Sequence, residues 1–162
     1  INPTVVRLAQ DYFTYIDRSK ANKTFIVGDA RLELDREPDH HFNLFVLDAF
    51  SGDAIPMHLL TIQAIQLYLR HLEPNGILAV NISNHHLDLS PVIRALGEAS
   101  GLQYLIVHQE PSDDGITEYA SNWALLSKDR KQLEGLRSRT LIEPLTSVLW
   151  TDDFSNLFKV LR

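Results

Sequence analysis

Two short apolar runs, Phe42–Leu47 and Ile77–Ile82, enclose the longest amphipathic pattern in the chain, Pro56–Leu72. That order reads as strand, helix, strand. Two strands joined by a helix that crosses back are parallel neighbours, so the pattern restricts the fold to the α/β class. In the central pattern Leu60, Ala64, Leu67 and Tyr68 repeat at helical spacing, with Ile65, Leu69 and Leu72 widening the face. Glu73-Pro74-Asn75-Gly76 is a turn signal, because Pro presets φ and Asn-Gly tolerates positive φ.

The same alternation extends both ways. Asn2 is placed to cap a helix that starts at Pro3, with Val5, Leu8, Ala9, Tyr12 and Ile16 on its apolar face. Thr24–Val27 reads as a short strand, followed by Gly28-Asp29 and a brief helix over Ala30–Leu34. Asp35–His41 is a charged surface loop. Ser90-Pro91 opens a helix that Gly101 closes. Tyr104–Val107 and Trp123–Leu126 are two more strands. No helix separates these two, so they are expected to be antiparallel neighbours. The fold expected is α/β: a doubly wound, mostly parallel Rossmann-like sheet with an antiparallel strand near the C-terminus. With 162 residues, 44% hydrophobic and 22% charged, residues 1–162 suit a single domain with a real core.

The net charge of −6 disfavours a nucleic-acid binder, since phosphate recognition needs a basic face. No run is long and apolar enough for a membrane helix, so no membrane contact is expected from this segment. The absence of cysteine excludes disulfides and thiolate metal sites. The opening Ile1-Asn2-Pro3 has no initiator Met and no signal-peptide pattern. The expectation is a fragment that continues upstream structure.

The chemistry concentrates between the first enclosed strand and the helix, in Asp48-Ala49-Phe50-Ser51-Gly52-Asp53. Ligands of open α/β sheets sit outside the carboxyl ends of the strands, where this loop falls. Two carboxylates there suit a cationic ligand or a proton that must be removed. The plainer alternative is a loop acid at Asp48 and a cap at Asp53 for the helix beginning at Pro56. Asn81 and Ser83 end the next strand and are candidates for lining the same crevice, although turn bonding also explains them. Asp29 suits a ligand contact or a helix cap equally in chemistry. His85-His86 reads as a surface pair, because no third ligand is spaced to hold a metal with it. His40-His41 reads as solvated. Asp152 and Asp153 could complete an acidic rim over the site, but read rather as a capping acid beside a Trp150 anchor that docks the tail.

Several of these segments together resemble the spermidine synthase family within the class I methyltransferase fold. Val27-Gly28-Asp29-Ala30 is similar to that family's Gly-Asp-Ala/Gly segment, whose Asp contacts the adenine amino group. Asp48 through Asp53 is similar to its Asp-Ser-Ser-Asp loop, which binds and deprotonates the acceptor amine. Ile1-Asn2-Pro3 resembles the end of a Glu-Ile-Asp-Pro segment. Leu72-Glu73-Pro74-Asn75-Gly76-Ile77-Leu78 resembles the Leu-Lys-Pro-Gly-Gly-Val-Leu turn. With Trp150-Thr151-Asp152-Asp153-Phe154-Ser155-Asn156, the whole looks most like bacterial spermidine synthase-like proteins, some of which are fused to a membrane-embedded region.

The resemblance implies aminopropyl transfer from decarboxylated S-adenosylmethionine to a polyamine, in the cytoplasm, with no metal. It assigns Asp53 as base and Asp48 as its partner, with Asp29, Ala30 and Asp48 toward the donor. Asn81, Ser83 and Tyr119 would line the acceptor side. The alternatives are an S-adenosylmethionine-dependent methyltransferase of a small acceptor and a non-catalytic ligand-binding or interaction domain. The chain departs from the family pattern in three ways. It has no Gly-rich donor-binding turn with its preceding strand, its acidic loop has two more residues between the carboxylates, and the ribose-binding acid would precede Ile1. This chain alone is therefore expected not to bind a nucleoside donor tightly. A strand lacking its usual neighbour must be covered, paired across a subunit contact as in a homodimer, or accommodated by a changed strand order.

Overall fold

The computed structural model describes residues 2–49, 56–111, 120–136, 140–141 and 143–162. It divides into two compact units, Ile1–Pro38 and Asp39–Arg162. Each is described by itself.

In the first unit, helix α1 covers Pro3–Tyr12. Asn2 caps it as expected, its Oδ1 accepting from Thr4 N at 2.8 Å. The helix stops at Phe13, before Ile16, and a single turn, α2 (Tyr15–Arg18), follows. Lys23 closes this turn by donating from Nζ to the carbonyls of Ile16 and Ser19, both at 2.8 Å. Thr24–Val27 is not a strand. Phe25, Ile26 and Val27 are exposed, and no strand among the described residues pairs with them. A strand exists only through its ladder, so β-prone residues without a partner remain merely extended. Helix α3 then runs over Ala30–Arg36, two residues longer than expected. Gly28, at φ +151°, makes the preceding bend. A Cβ there would lie 2.7 Å from the Glu33 side chain.

The second unit is built on a five-stranded sheet of order β1-β2-β4-β3-β5. The strands are β1 (Phe42–Leu47), β2 (Leu72–Asn81), β3 (Gln103–Gln109), β4 (Ser121–Ser127) and the short β5 (Thr140–Leu141). β1 and β2 form a parallel ladder, while β4 lies between β2 and β3, antiparallel to both. The expected parallel character thus holds for the direction of β1, β2 and β3, but among the described residues only the β1–β2 ladder is parallel. The antiparallel relation of β3 and β4 matches the missing helix between them.

Helix α4 covers Ile62–His71 and supplies the β1–β2 crossover. The expected start at Pro56 is corrected. A 3-10 turn at Met57–Leu59 comes first, and Thr61 caps the helix through Oγ1, which accepts from Ala64 N at 3.2 Å. A β-branched hydroxyl residue that bonds its own backbone ends the preceding turn and begins a new helix. Ala64, Ile65, Leu67 and Tyr68 are buried, as the periodicity requires. The Tyr68 ring stacks on Phe45 at 5.0 Å and its hydroxyl donates to the Leu59 carbonyl. His71, on the same face, is buried and packs against the ring of His40.

The Glu73–Gly76 turn appears as an excursion within β2. A step from Phe42 to Leu44 on β1 is matched by a step from Leu72 to Ile77 on β2. Gly76 permits it, since a Cβ would sit 2.8 Å from the Phe42 carbonyl oxygen. Helix α5 (Ser90–Ser100) ends at Gly101 in the left-handed conformation, φ +65°. It packs against α4, β3 and β4. The sheet residues Leu78, Val80, Ala124, Leu126 and Ile106 share one face by register and are all buried. Burial of each of the Leu, Val and Ile side chains among them contributes roughly 1.5–3 kcal/mol. The Arg94 guanidinium of α5 is held above its usual pKa by its hydrogen bond to Glu98, and then by that carboxylate's charge. No helix among the described residues is long and apolar enough to cross a membrane.

Candidate functional site

The parallel pairing of Leu47 with Val80 brings the carboxyl ends of β1 and β2 side by side. Asp48 and Asn81 follow there, and the structure joins them. Asn81 Nδ2 donates to Asp48 Oδ1 at 2.9 Å. Asn81 Oδ1 in turn accepts from Ser83 N at 2.9 Å. Asp48 is exposed, so its carboxylate is open to solvent at the rim where ligands of such sheets bind. Of the expected site residues, Asp48, Asn81 and Ser83 therefore form one continuous polar group.

That group continues across the sheet. Ser83 Oγ accepts from Asn122 N at 2.9 Å, and Ile82 N donates to the Asn122 carbonyl at 2.9 Å. Asn122 Oδ1 meets His108 Nδ1 at 2.6 Å, and His108 Nε2 lies 3.3 Å from Glu110 Oε1. The resulting row, Asp48–Asn81–Ser83–Asn122–His108–Glu110, runs from β1 past the ends of β2, β4 and β3. The reading of the sequence missed Asn122, His108 and Glu110. The signal was available in the expected hairpin, where His108 and Asn122 form an antiparallel pair.

Asp53 and Tyr119 lie outside the described residues. The helix for which Asp53 was the alternative cap begins beyond Thr61, and Thr61 is its cap. Asp29 and Ala30 lie in the first unit. Asp29 Oδ1 accepts from Arg31 N and Leu32 N, each at 3.0 Å, so the carboxylate caps α3 and is held at the start of that helix. Ala30 is the first residue of α3.

The tail behaves as a docked segment. Trp150 is 0% exposed, and its carbonyl accepts from Ile62 N at 3.0 Å. Asp152 Oδ1 accepts from Thr61 Oγ1 at 2.7 Å, while Asp152 N donates to Gln63 Oε1. The Trp150 anchor is as expected, but Asp152 is not itself the cap: Thr61 caps α4, and Asp152 holds the Thr61 hydroxyl. The chain end returns to the loop after β2: Asp88 N donates to the Val160 carbonyl and Arg162 N to the His86 carbonyl. His85 and His86 are exposed, and Asn84 Oδ1 holds their loop by accepting from His86 N and Leu87 N. His40 and His41 are exposed, as expected, and the His40 ring also stacks on Phe42 at 4.9 Å. Among the described residues, no three His, Cys, Asp or Glu side chains gather as a metal-binding group.

An α/β sheet with co-directional β1, β2 and β3, an inserted antiparallel strand and a polar carboxyl-end rim defines a Rossmann-like fold of the methyltransferase kind. Comparison with solved structures agrees. The fold matches the spermidine synthase of Thermotoga maritima with a TM-score of 0.57 at 11% identity, over 92% of this chain and 52% of that one. It matches a spermidine synthase solved with the transition-state analogue AdoDATO with a TM-score of 0.56 at 11% identity, over 92% and 51% of the two chains. In sequence, the chain is 31% identical over 83 residues to a polyamine aminopropyltransferase of Vibrio vulnificus, covering 50% of this chain and 27% of that protein. No family model matches. The chain is thus similar to spermidine synthases in fold and, over half its length, to a polyamine aminopropyltransferase in sequence. It spans about half the length of the solved relatives it matches.

Proposed function

We propose that this segment provides the acceptor side of a spermidine synthase-like aminopropyltransferase, whose donor is decarboxylated S-adenosylmethionine and whose acceptor is a polyamine. The observation that carries the reading is the exposed Asp48 carboxylate at the end of β1, held by Asn81, with Asp53 five residues on in the sequence.

In this reaction the amine nitrogen forms a bond to the donor's propyl carbon. The carbon–sulfur bond breaks, its electron pair stays on sulfur, and a neutral thioether leaves. The sulfonium needs little help to leave. The amine is protonated near neutrality, so the protein must attract the ammonium and accept a proton from it. Carboxylates at the rim serve both purposes. Asp53 is assigned as base and Asp48 as its partner, with Tyr119 and Ser83 lining the acceptor channel. Holding donor and acceptor in line supplies much of the remaining acceleration. Asp29, fixed at the start of α3, would receive the adenine amino group, with Ala30 beside it.

The test uses the complete protein that contains this segment. It is given putrescine or spermidine with either decarboxylated S-adenosylmethionine or S-adenosylmethionine, and products are read by mass spectrometry. The proposal expects an aminopropyl mass gain on the polyamine with the first donor. A methyl gain with the second donor alone would instead identify a methyltransferase of a small acceptor. No product from either, with polyamine still bound, would identify a non-catalytic binding domain.

A further inference from the structure

We propose that Asn81 is a positioning residue that presets the Asp48 carboxylate for the acceptor amine, with Ser83 and Asn122 as its support. The inference rests on the aminopropyl-transfer reading and adds a residue role to it. An exposed aspartate at a strand end rotates among several side-chain states. A carboxylate that must hold a bound ammonium beside its base works only within hydrogen-bond reach and in the right direction. Something must therefore hold Asp48.

Asn81 does so with a determined orientation. Its Oδ1 faces the backbone N–H of Ser83, which can only donate. The amide NH2 is therefore the end that faces Asp48 Oδ1, and the reversed amide would set two donors and two acceptors against each other. Ser83 is fixed by the edge of β4: Asn122 N donates to its Oγ, and Ile82 N beside it donates to the Asn122 carbonyl. Asn122 is pinned in its turn by the ring of His108 on β3. The orientation of Asp48 is thus tied to the sheet frame through Asn81, Ser83 and Asn122.

The test replaces Asn81 by Leu, which keeps the approximate size and removes the donor, in the complete protein. The expected result is a fall in acceptor-dependent kcat of about tenfold to a hundredfold, the cost of a misplaced reacting group. Donor Kd and Tm should be unchanged, since Asn81 is only half-buried. Asn81→Asp, which also lacks the donor, should fall at least as far. Wild-type kcat in Asn81→Leu would overturn the proposal and leave the aminopropyl-transfer reading standing. If the wild type transfers nothing, that reading fails, and three-bond NMR couplings of Asp48 in this chain decide the tie separately. A single χ1 state that becomes averaged in Asn81→Leu supports it, and equal averaging in both overturns it.

Discussion

Thr61 does two jobs with one hydroxyl. Its oxygen accepts from Ala64 N, which starts α4, and its proton goes to Asp152 Oδ1, which fastens the tail. It is also buried, so neither bond is easily exchanged for water. Thr61→Ala should lower unfolding stability by about 0.5–2 kcal/mol, the usual cost of a lost cap, and Thr61→Ser should recover most of it. Urea denaturation of the three proteins checks this, and an alanine variant as stable as wild type would contradict it. At this scale the sequence was readable where a residue's own chemistry decides its role. Asn2 before Pro3 and Gly101 after Ser100 cap helices as expected, each by a local rule that needs no tertiary partner. Thr61 escaped notice because it lies inside an unbroken apolar pattern, and periodicity alone does not register a hydroxyl that interrupts it.

Among the elements, the C-terminal segment works as a strap. It touches α5 where Val148 N donates to the Pro91 carbonyl, α4 through Trp150 and Asp152, and the loop after β2 through Val160 and Arg162. Trp150 fills the core beneath it. Trp150→Ala should cost about 3–5 kcal/mol, as large aromatic truncations in cores do. A loss under about 1 kcal/mol by the same denaturation measurement would mean that the strap docks without its anchor. The helices and long strands were legible because their periodicity is local. Thr24–Val27 was not, since strand formation depends on a neighbour that no described residue supplies. The place of β4 between β2 and β3 was also invisible, because strand order is a long-range property.

On the scale of the molecule, the candidate site is a product of topology. Parallel pairing sets Asp48 beside Asn81, and insertion of β4 brings Asn122 and His108 into the same row. The strand-end residues Asp48, Asn81 and Ser83 could be read from sequence, because ligands of open α/β sheets bind outside the carboxyl ends of strands. The row beyond Ser83 could not, since it requires the hairpin register and the strand order together. The central proposal is that the Asp48 rim serves the acceptor amine in the chemical step, whatever contact it also makes with the donor. The direct measurement is steady-state aminopropyl transfer by Asp48→Asn in the complete protein, with donor Kd measured in parallel. The account predicts a kcat lower by about 10²–10⁴-fold, the scale of a disrupted acid–base pair, with donor Kd little changed. Unchanged kcat, or a loss that appears wholly as weaker donor binding, would contradict it.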